Sequence, residues 1–150
     1  MRKTFTFISL ACLSLFLLAC SSSETILTID VTDGNPSQVI TIDVSKGDSL
    51  SIWNSIDIEY YDDLDLQYTL DMQLNSKAGV TKTIDGTKPS IKMMSKDINI
   101  NGKCHTSWQT GKILSGINIS EDGKLKIKIT PEIKGEDLNV IRNAIQIKKS

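Results

Sequence analysis

Ser49 is the first residue that could do chemistry. It stands in Gly47-Asp48-Ser49-Leu50, where its hydroxyl could serve as a nucleophile. A serine attacks at neutral pH only when a neighbouring base takes its proton. The one histidine, and so the one side chain of the usual base type, is His105. The residues after Ser49 also alternate as a strand does, so a turn is the expected role of this block. Cys104 precedes His105 directly, which raises the chemistry of a thiolate–imidazole pair or a metal site. Neighbours in a strand point to opposite faces, and zinc wants three or four ligands. Neither chemistry is expected there. Cys104 is read as a buried, inert thiol and His105 as a loop or surface residue.

Carboxylates gather further upstream. Asp57, Glu59, Asp62, Asp63 and Asp65 fall within nine residues, with Tyr60 and Tyr61 among them. Carboxylates at loop tips suit calcium. An EF-hand loop fails, since counting from Asp63 puts Tyr68 where glycine is needed and Leu74 where glutamate is needed. A calcium site of another geometry competes with a solvated acidic loop that keeps a sheet edge soluble. Flat aromatic rings stack on sugars, so Trp53 and Trp108 join the tyrosines as candidates. Trp53 continues the Leu50/Ile52 alternation and is expected in the core. Trp108 lies among Thr106, Ser107, Gln109 and Thr110 and is expected at the surface. The candidate ligand-binding set is therefore Trp108, Tyr60, Tyr61, Asp62, Asp63 and Asp65.

The elements that would position these residues begin after a leader. Arg2 and Lys3 precede an apolar run from Phe5 to Leu18, broken only by Thr6, Ser9 and Ser14. A helix of that length rises about 21 Å, short of a ~30 Å hydrocarbon core, and reads as a cleaved signal. Leu17-Leu18-Ala19-Cys20 resembles the lipobox of bacterial lipoproteins. The resemblance implies cleavage after Ala19, lipid on Cys20, and a domain working outside the cytoplasm against a membrane, the outer one if the organism has two. Residues 1–19 are then signal peptide, 20–25 lipidated cysteine and tether, and 26–150 one folded domain. Five extended tether residues reach about 17 Å. Cys12 leaves with the signal and Cys20 is acylated, so Cys104 has no intramolecular disulfide partner.

Alternation at period two dominates the domain. It runs through Leu27-Ile29-Val31, Ile40-Ile42-Val44, Leu50-Ile52, Leu66 to Leu74, Ile91-Met93, Ile98-Ile100, Ile117-Ile119, Leu125-Ile127-Ile129 and Ile141 to Ile147. Thr32 to Pro36 and Ser45 to Asp48 are turn signals, Glu121-Asp122-Gly123-Lys124 a hairpin turn, and Pro131 to Asp137 a loop. The only helix candidate, Glu136 to Ala144, contains Asn139, Val140 and Asn143, all poor helix formers. The expected fold is all-β: a single antiparallel β-sandwich of eight or nine strands, immunoglobulin-like or jelly roll. Charge is uneven along it. Residues 20–76 hold 11 acids and one base, and residues 77–150 hold 7 acids and 14 bases. Interleaved strands would set these charges opposite one another; a two-faced surface would instead meet a polyanion or anionic headgroups. Nucleic acid is not expected, for the aromatic–basic interleaving of its binders is absent.

Asp97-Ile98-Asn99-Ile100-Asn101-Gly102, then Ile117 to Ile129 around Asp122-Gly123, then Ile141 to Ile147 are similar to the closing strands of malectin-like, carbohydrate-binding jelly rolls. That resemblance covers about fifty residues and implies sugar binding by analogy of fold. Gly47-Asp48-Ser49-Leu50 resembles the nucleophile block of the hydrolases named for it, without the later Asp-x-x-His. The sequence thus points to a non-catalytic, lipid-anchored envelope module. Its partner is a protein or, as the alternative, a glycan; it carries no resident cofactor unless calcium sits on the acids.

Overall fold

The computed structural model describes residues 23–32 and 37–150. The expected signal peptide, Ala19 and Cys20 lie outside them. The domain is all-β, as expected. Eight antiparallel strands run in order: β1 (Glu24–Asp30), β2 (Gln38–Val44), β3 (Ser49–Leu74), β4 (Val80–Asp85), β5 (Ile91–Met93), β6 (Lys96–Ile100), β7 (Lys103–Asn118) and β8 (Gly123–Lys149).

Two long strands make the frame. β3 and β8 pair antiparallel from Leu50↔Lys149 to Leu74↔Leu125, and both bend midway. Their pairing skips at Glu59/Tyr61 and Tyr61/Leu64. Asp62 and Asp137 adopt left-handed φ of 59° and 49° at the bend, a conformation aspartate tolerates better than most side chains. Bulges and left-handed residues turn a strand sharply, so the ribbon folds back on itself. One layer holds β1, the C-terminal half of β8, the N-terminal half of β3, and β7 with β5 and β6 on its far edge. The other holds β2, the N-terminal half of β8, the C-terminal half of β3, and β4.

Period two decides what lies between the layers. Leu50, Ile52, Ile56 and Ile58 face inward from the first half of β3; Leu66, Tyr68 and Leu70 do so from the second. Ile127, Ile129, Ile145 and Ile147 face them from β8, and Val31, Val44 and Trp108 complete the packing. A buried aliphatic side chain of this size contributes about 1.5–3 kcal/mol.

Glu136 to Ala144, weak as a helix, is strand, because the helix period is absent and β3 offers it a pairing edge. Three local expectations are corrected. Pro131 to Asp137 is also strand; Pro131 pairs with Tyr68 where the other edge of β8 has no strand partner, a place proline tolerates. Glu121-Asp122-Gly123-Lys124 does not close a hairpin. It crosses between layers, since β7 ends beside the start of β3 and β8 starts beside its end. The acidic stretch Asp57 to Asp65 is bent strand rather than loop.

Gly86 follows β4, and a Cβ there would stand 2.5 Å from the Tyr68 ring. A buried ring cannot move aside without shifting the core. We expect Gly86→Ala to destabilise by about 1–3 kcal/mol in urea unfolding, while Val80→Ala at an exposed site stays within about 0.5 kcal/mol.

Candidate functional site

The candidate side chains fall into a bent tip, a buried polar cluster and an outer strand face. Tyr60, Tyr61, Asp62, Asp63 and Asp65 occupy the β3 bend. The Asp62 amide donates to the Gly102 carbonyl at 2.8 Å, tying the bend to the β6–β7 turn. Asn101 in that turn is also left-handed, with φ of 52°. Gly102 is required by contact: a Cβ would meet the Tyr61 ring at 2.8 Å and the Asp62 carboxylate at 2.9 Å. Tyr60 shares a hydrogen bond with Thr106 at 3.2 Å. Tyr61, 40% exposed, is the tip's most accessible ring. Asp62, Asp63 and Asp65 are exposed around it.

The acids do not converge. Glu59 accepts from Asn139 at 3.2 Å, Asp57 binds His105 at 2.6 Å, and Asp65 accepts from Gln67 at 3.2 Å beside its register partner Lys134. Among the described residues, no three His, Cys, Asp or Glu side chains are grouped to hold a metal ion. The calcium expectation finds no carboxylate cage here, because strand alternation and separate partners spread the acids apart.

Trp108 corrects a second expectation. It is 1% exposed, in the core, and its indole N–H donates to Asn54 Oδ1 at 2.9 Å. No ring face is left for a sugar. Trp53 is buried, as expected, but on the face of β3 opposite the packed aliphatic cluster, with its ring beneath two lysines. Strand alternation sends Ile52 inward and its neighbour Trp53 outward, in unbroken register with β8. His105 is corrected too. It lies in β7, part-buried against Asp57, and not in a loop. Cys104 is buried, as expected, and has no disulfide partner among the described residues. Ser49 pairs with Asn118 while His105 pairs with Glu59, ten residues further along β3. At about 3.3 Å per residue that separation is roughly 33 Å, so His105 cannot act on Ser49.

The buried polar cluster is absent from the sequence-based candidates. Asn54 Nδ2 donates to the Gly86 carbonyl at 2.9 Å while its oxygen accepts from Trp108. The Tyr68 hydroxyl donates to Asn143 Oδ1 across the layers. Burial pushes the Tyr68 phenol far above its ordinary range, so it remains a donor. The readable signal was Asn54 itself, a polar residue between Ile52 and Ile56 on an inward face. Nothing in this cluster opens to solvent, which makes it structural.

Charges interleave across the sheet. Lys124 meets Asp43 at 3.2 Å and Lys149 meets Asp48 at 2.7 Å. Lys128 is the register partner of Asp71. Bases from the second half thus neutralise acids from the first. No protein-family model matches the chain, and neither a curated protein nor a solved structure matches it.

Two outcomes follow. Asn54→Ala strips partners from the buried Trp108 N–H and Gly86 carbonyl; we expect a loss of about 2–4 kcal/mol in urea unfolding. Asp48 is held below the usual carboxylate range by the Lys149 ammonium, then by the Ser45 amide. The folded state therefore binds this proton less readily than the unfolded chain. The resulting stability is present above the unfolded value of about 3.9 and is lost as pH falls through the lower folded one. Asp48→Asn should flatten the acid limb of a stability–pH curve; an unchanged limb would count against the pair.

Proposed function

We propose that this chain is a lipid-anchored, non-catalytic module of the bacterial cell envelope that presents its bent tip to a partner. The observation that supports this reading is the separation of two ends. The described chain starts at Ser23, beside β1, whose Glu24 pairs with Lys149 next to the start of β3. The bend with Tyr61 lies twelve residues along the same strand. At about 3.3 Å per residue the tip stands roughly 40 Å from the end that the tether enters. With lipid on Cys20, that length directs Tyr60, Tyr61, Asp62 and Asp63 away from the membrane. Gly102 and the Asp62 amide hold the tip in one shape, which lowers the ordering cost of binding.

A protein partner is the reading we favour. The glycan reading loses its best aromatic, Trp108, to the core and keeps one well-exposed ring, Tyr61. A single ring flanked by carboxylates suits a basic protein surface at least as well as a sugar face. The distance between Ser49 and His105 favours a module without catalysis.

Two measurements test this. Mass spectrometry of the membrane-extracted protein should find an N-terminal peptide beginning at an acylated Cys20, and Cys20→Ser should leave the membrane fraction. A photo-crosslinker in place of Tyr61 should give a discrete protein adduct in intact cells, with none from the same probe at Thr83. Glycan retention that Tyr61→Ala abolishes would transfer the assignment to carbohydrate. Neither adduct nor retention would sink the tip as a binding site.

A further inference from the structure

The outer face of the first layer carries a feature that the tip does not use. Trp53 pairs with Lys112 on β7 and with Gln146 on β8, and Lys112 pairs with Ile91 on β5. Directly opposed residues share a face, so these side chains line one surface. Lys148 joins them two residues from Gln146. The Lys112 and Lys148 ammoniums sit 4.8 Å and 4.3 Å from the Trp53 ring centroid, which puts the two nitrogens within about 9 Å of each other. Among the described residues, neither has a carboxylate within ion-pair distance. Two like charges are therefore gathered over one indole without a counterion. Beside them Ile91 and Met93 are 47% and 57% exposed, and Met94 is 75% exposed.

The charge on this face is graded. Lys148 pairs with Thr25, where the chain enters the domain, and Trp53 is about 7 Å further along the strands. Asp30, Asp57 and Glu59 lie beyond Trp53, toward the bend. The half near the tether is cationic and apolar; the distal half is mixed, for Arg142 and Lys96 lie level with Asp57 on the same face. Cys20 is five residues from Thr25, so lipid on its thiol holds this half within about 17 Å of the headgroups, and screening leaves lysines effective over about 8–10 Å.

We propose that this face is a docking surface for anionic phospholipid headgroups, with Lys112 and Lys148 on the phosphates and Ile91, Met93 and Met94 at the acyl boundary. Lysine heads beside exposed aliphatics suit that interface, and the covered Trp53 ring lies beneath the two ammoniums. The anchored domain then leans onto an anionic bilayer instead of swinging freely on its tether. This rests on the lipid-anchor reading and adds an orientation to it.

The test uses the lipidated protein in vesicles of phosphatidylcholine alone or with one-third phosphatidylglycerol. Flotation with phosphatidylcholine vesicles reads the anchor. Hydroxyl-radical oxidation of Met93 and Met94 reads the face. Each lysine near an anionic surface is worth about fivefold in partitioning, so oxidation should slow severalfold with phosphatidylglycerol. Lys112→Gln/Lys148→Gln should abolish that slowing, and Lys126→Gln/Lys128→Gln, on the other layer, should retain it. Oxidation equal on both vesicles, or slowing that only the Lys126/Lys128 variant abolishes, overturns the docking surface while the anchor stands. Failure to float on phosphatidylcholine overturns both.

Discussion

The antiparallel pairing of β3 with β8 stays in register across both halves of the molecule, interrupted only between Asp57 and Leu64. β1, β2, β4 and β7 attach to these two strands, and β5 and β6 attach through β7. The fold thus depends on one ribbon that must bend in the correct place. Two adjacent strands of such length would extend about 85 Å if straight, with both apolar faces wet. Folding the ribbon once at Asp62 and Asp137 buries one face of each half against the other. Bend and burial are the same event. A slip of one residue on either side would turn Ile127 and Ile129, or Ile145 and Ile147, outward.

The polar cluster fixes what the aliphatics leave loose. Isoleucines on two facing layers can slide past one another at little cost, because dispersion has no direction. Hydrogen bonds do have direction. Tyr68 reaches from the second half of β3 to Asn143 on the second half of β8, and Asn54 reaches from the first half of β3 to the Gly86 carbonyl after β4. Each link joins opposite layers. A misaligned sandwich would leave these buried groups unpaired at about 1–3 kcal/mol each, more than any single aliphatic contact would lose. Directional polar groups in the core therefore specify one alignment of the two layers.

How much of this was legible follows from what each signal depends on. The strands were readable because burial on one face writes period two into the sequence, as at Leu66 to Leu74 and Leu125 to Ile129. The bend was not readable. Asp57 to Asp65 has the composition of a loop, and only its pairing with β8 and with the β6–β7 turn makes it strand. The tryptophans were misplaced for a related reason. Trp108 was judged by polar neighbours in sequence, whereas strand alternation sends Trp108 inward and Ser107 outward. Trp53 was set on the same face as Ile52, whereas alternation sends neighbours to opposite faces, and it is buried on the other one. Candidate-site residues were found where type alone mattered, as with the exposed acids and Tyr61. They were missed where the partner is distant in sequence, as with Asp57 and His105, or Lys112 and Lys148 over Trp53.

Charge follows the same logic at the scale of the whole chain. An acidic first half and a basic second half would repel within each half and attract between them. The ribbon satisfies this by placing β8, rich in lysine, against the second half of β3 and against β2. Lys124 with Asp43, Lys128 beside Asp71, and Lys134 beside Asp65 then follow from register alone. Exposed pairs of this kind are worth little singly, so their value lies in excluding alternative pairings that would set acids against acids. Lys82, Lys96, Lys103 and Lys126 stand outside that arrangement, and so do Lys112 and Lys148. The last two lie in the first layer, where β3 presents serine and tryptophan instead of carboxylates, and the ring of Trp53 lies beneath both. What sets these two lysines apart is that they share one indole and no acid, on the half of the face nearest the tether.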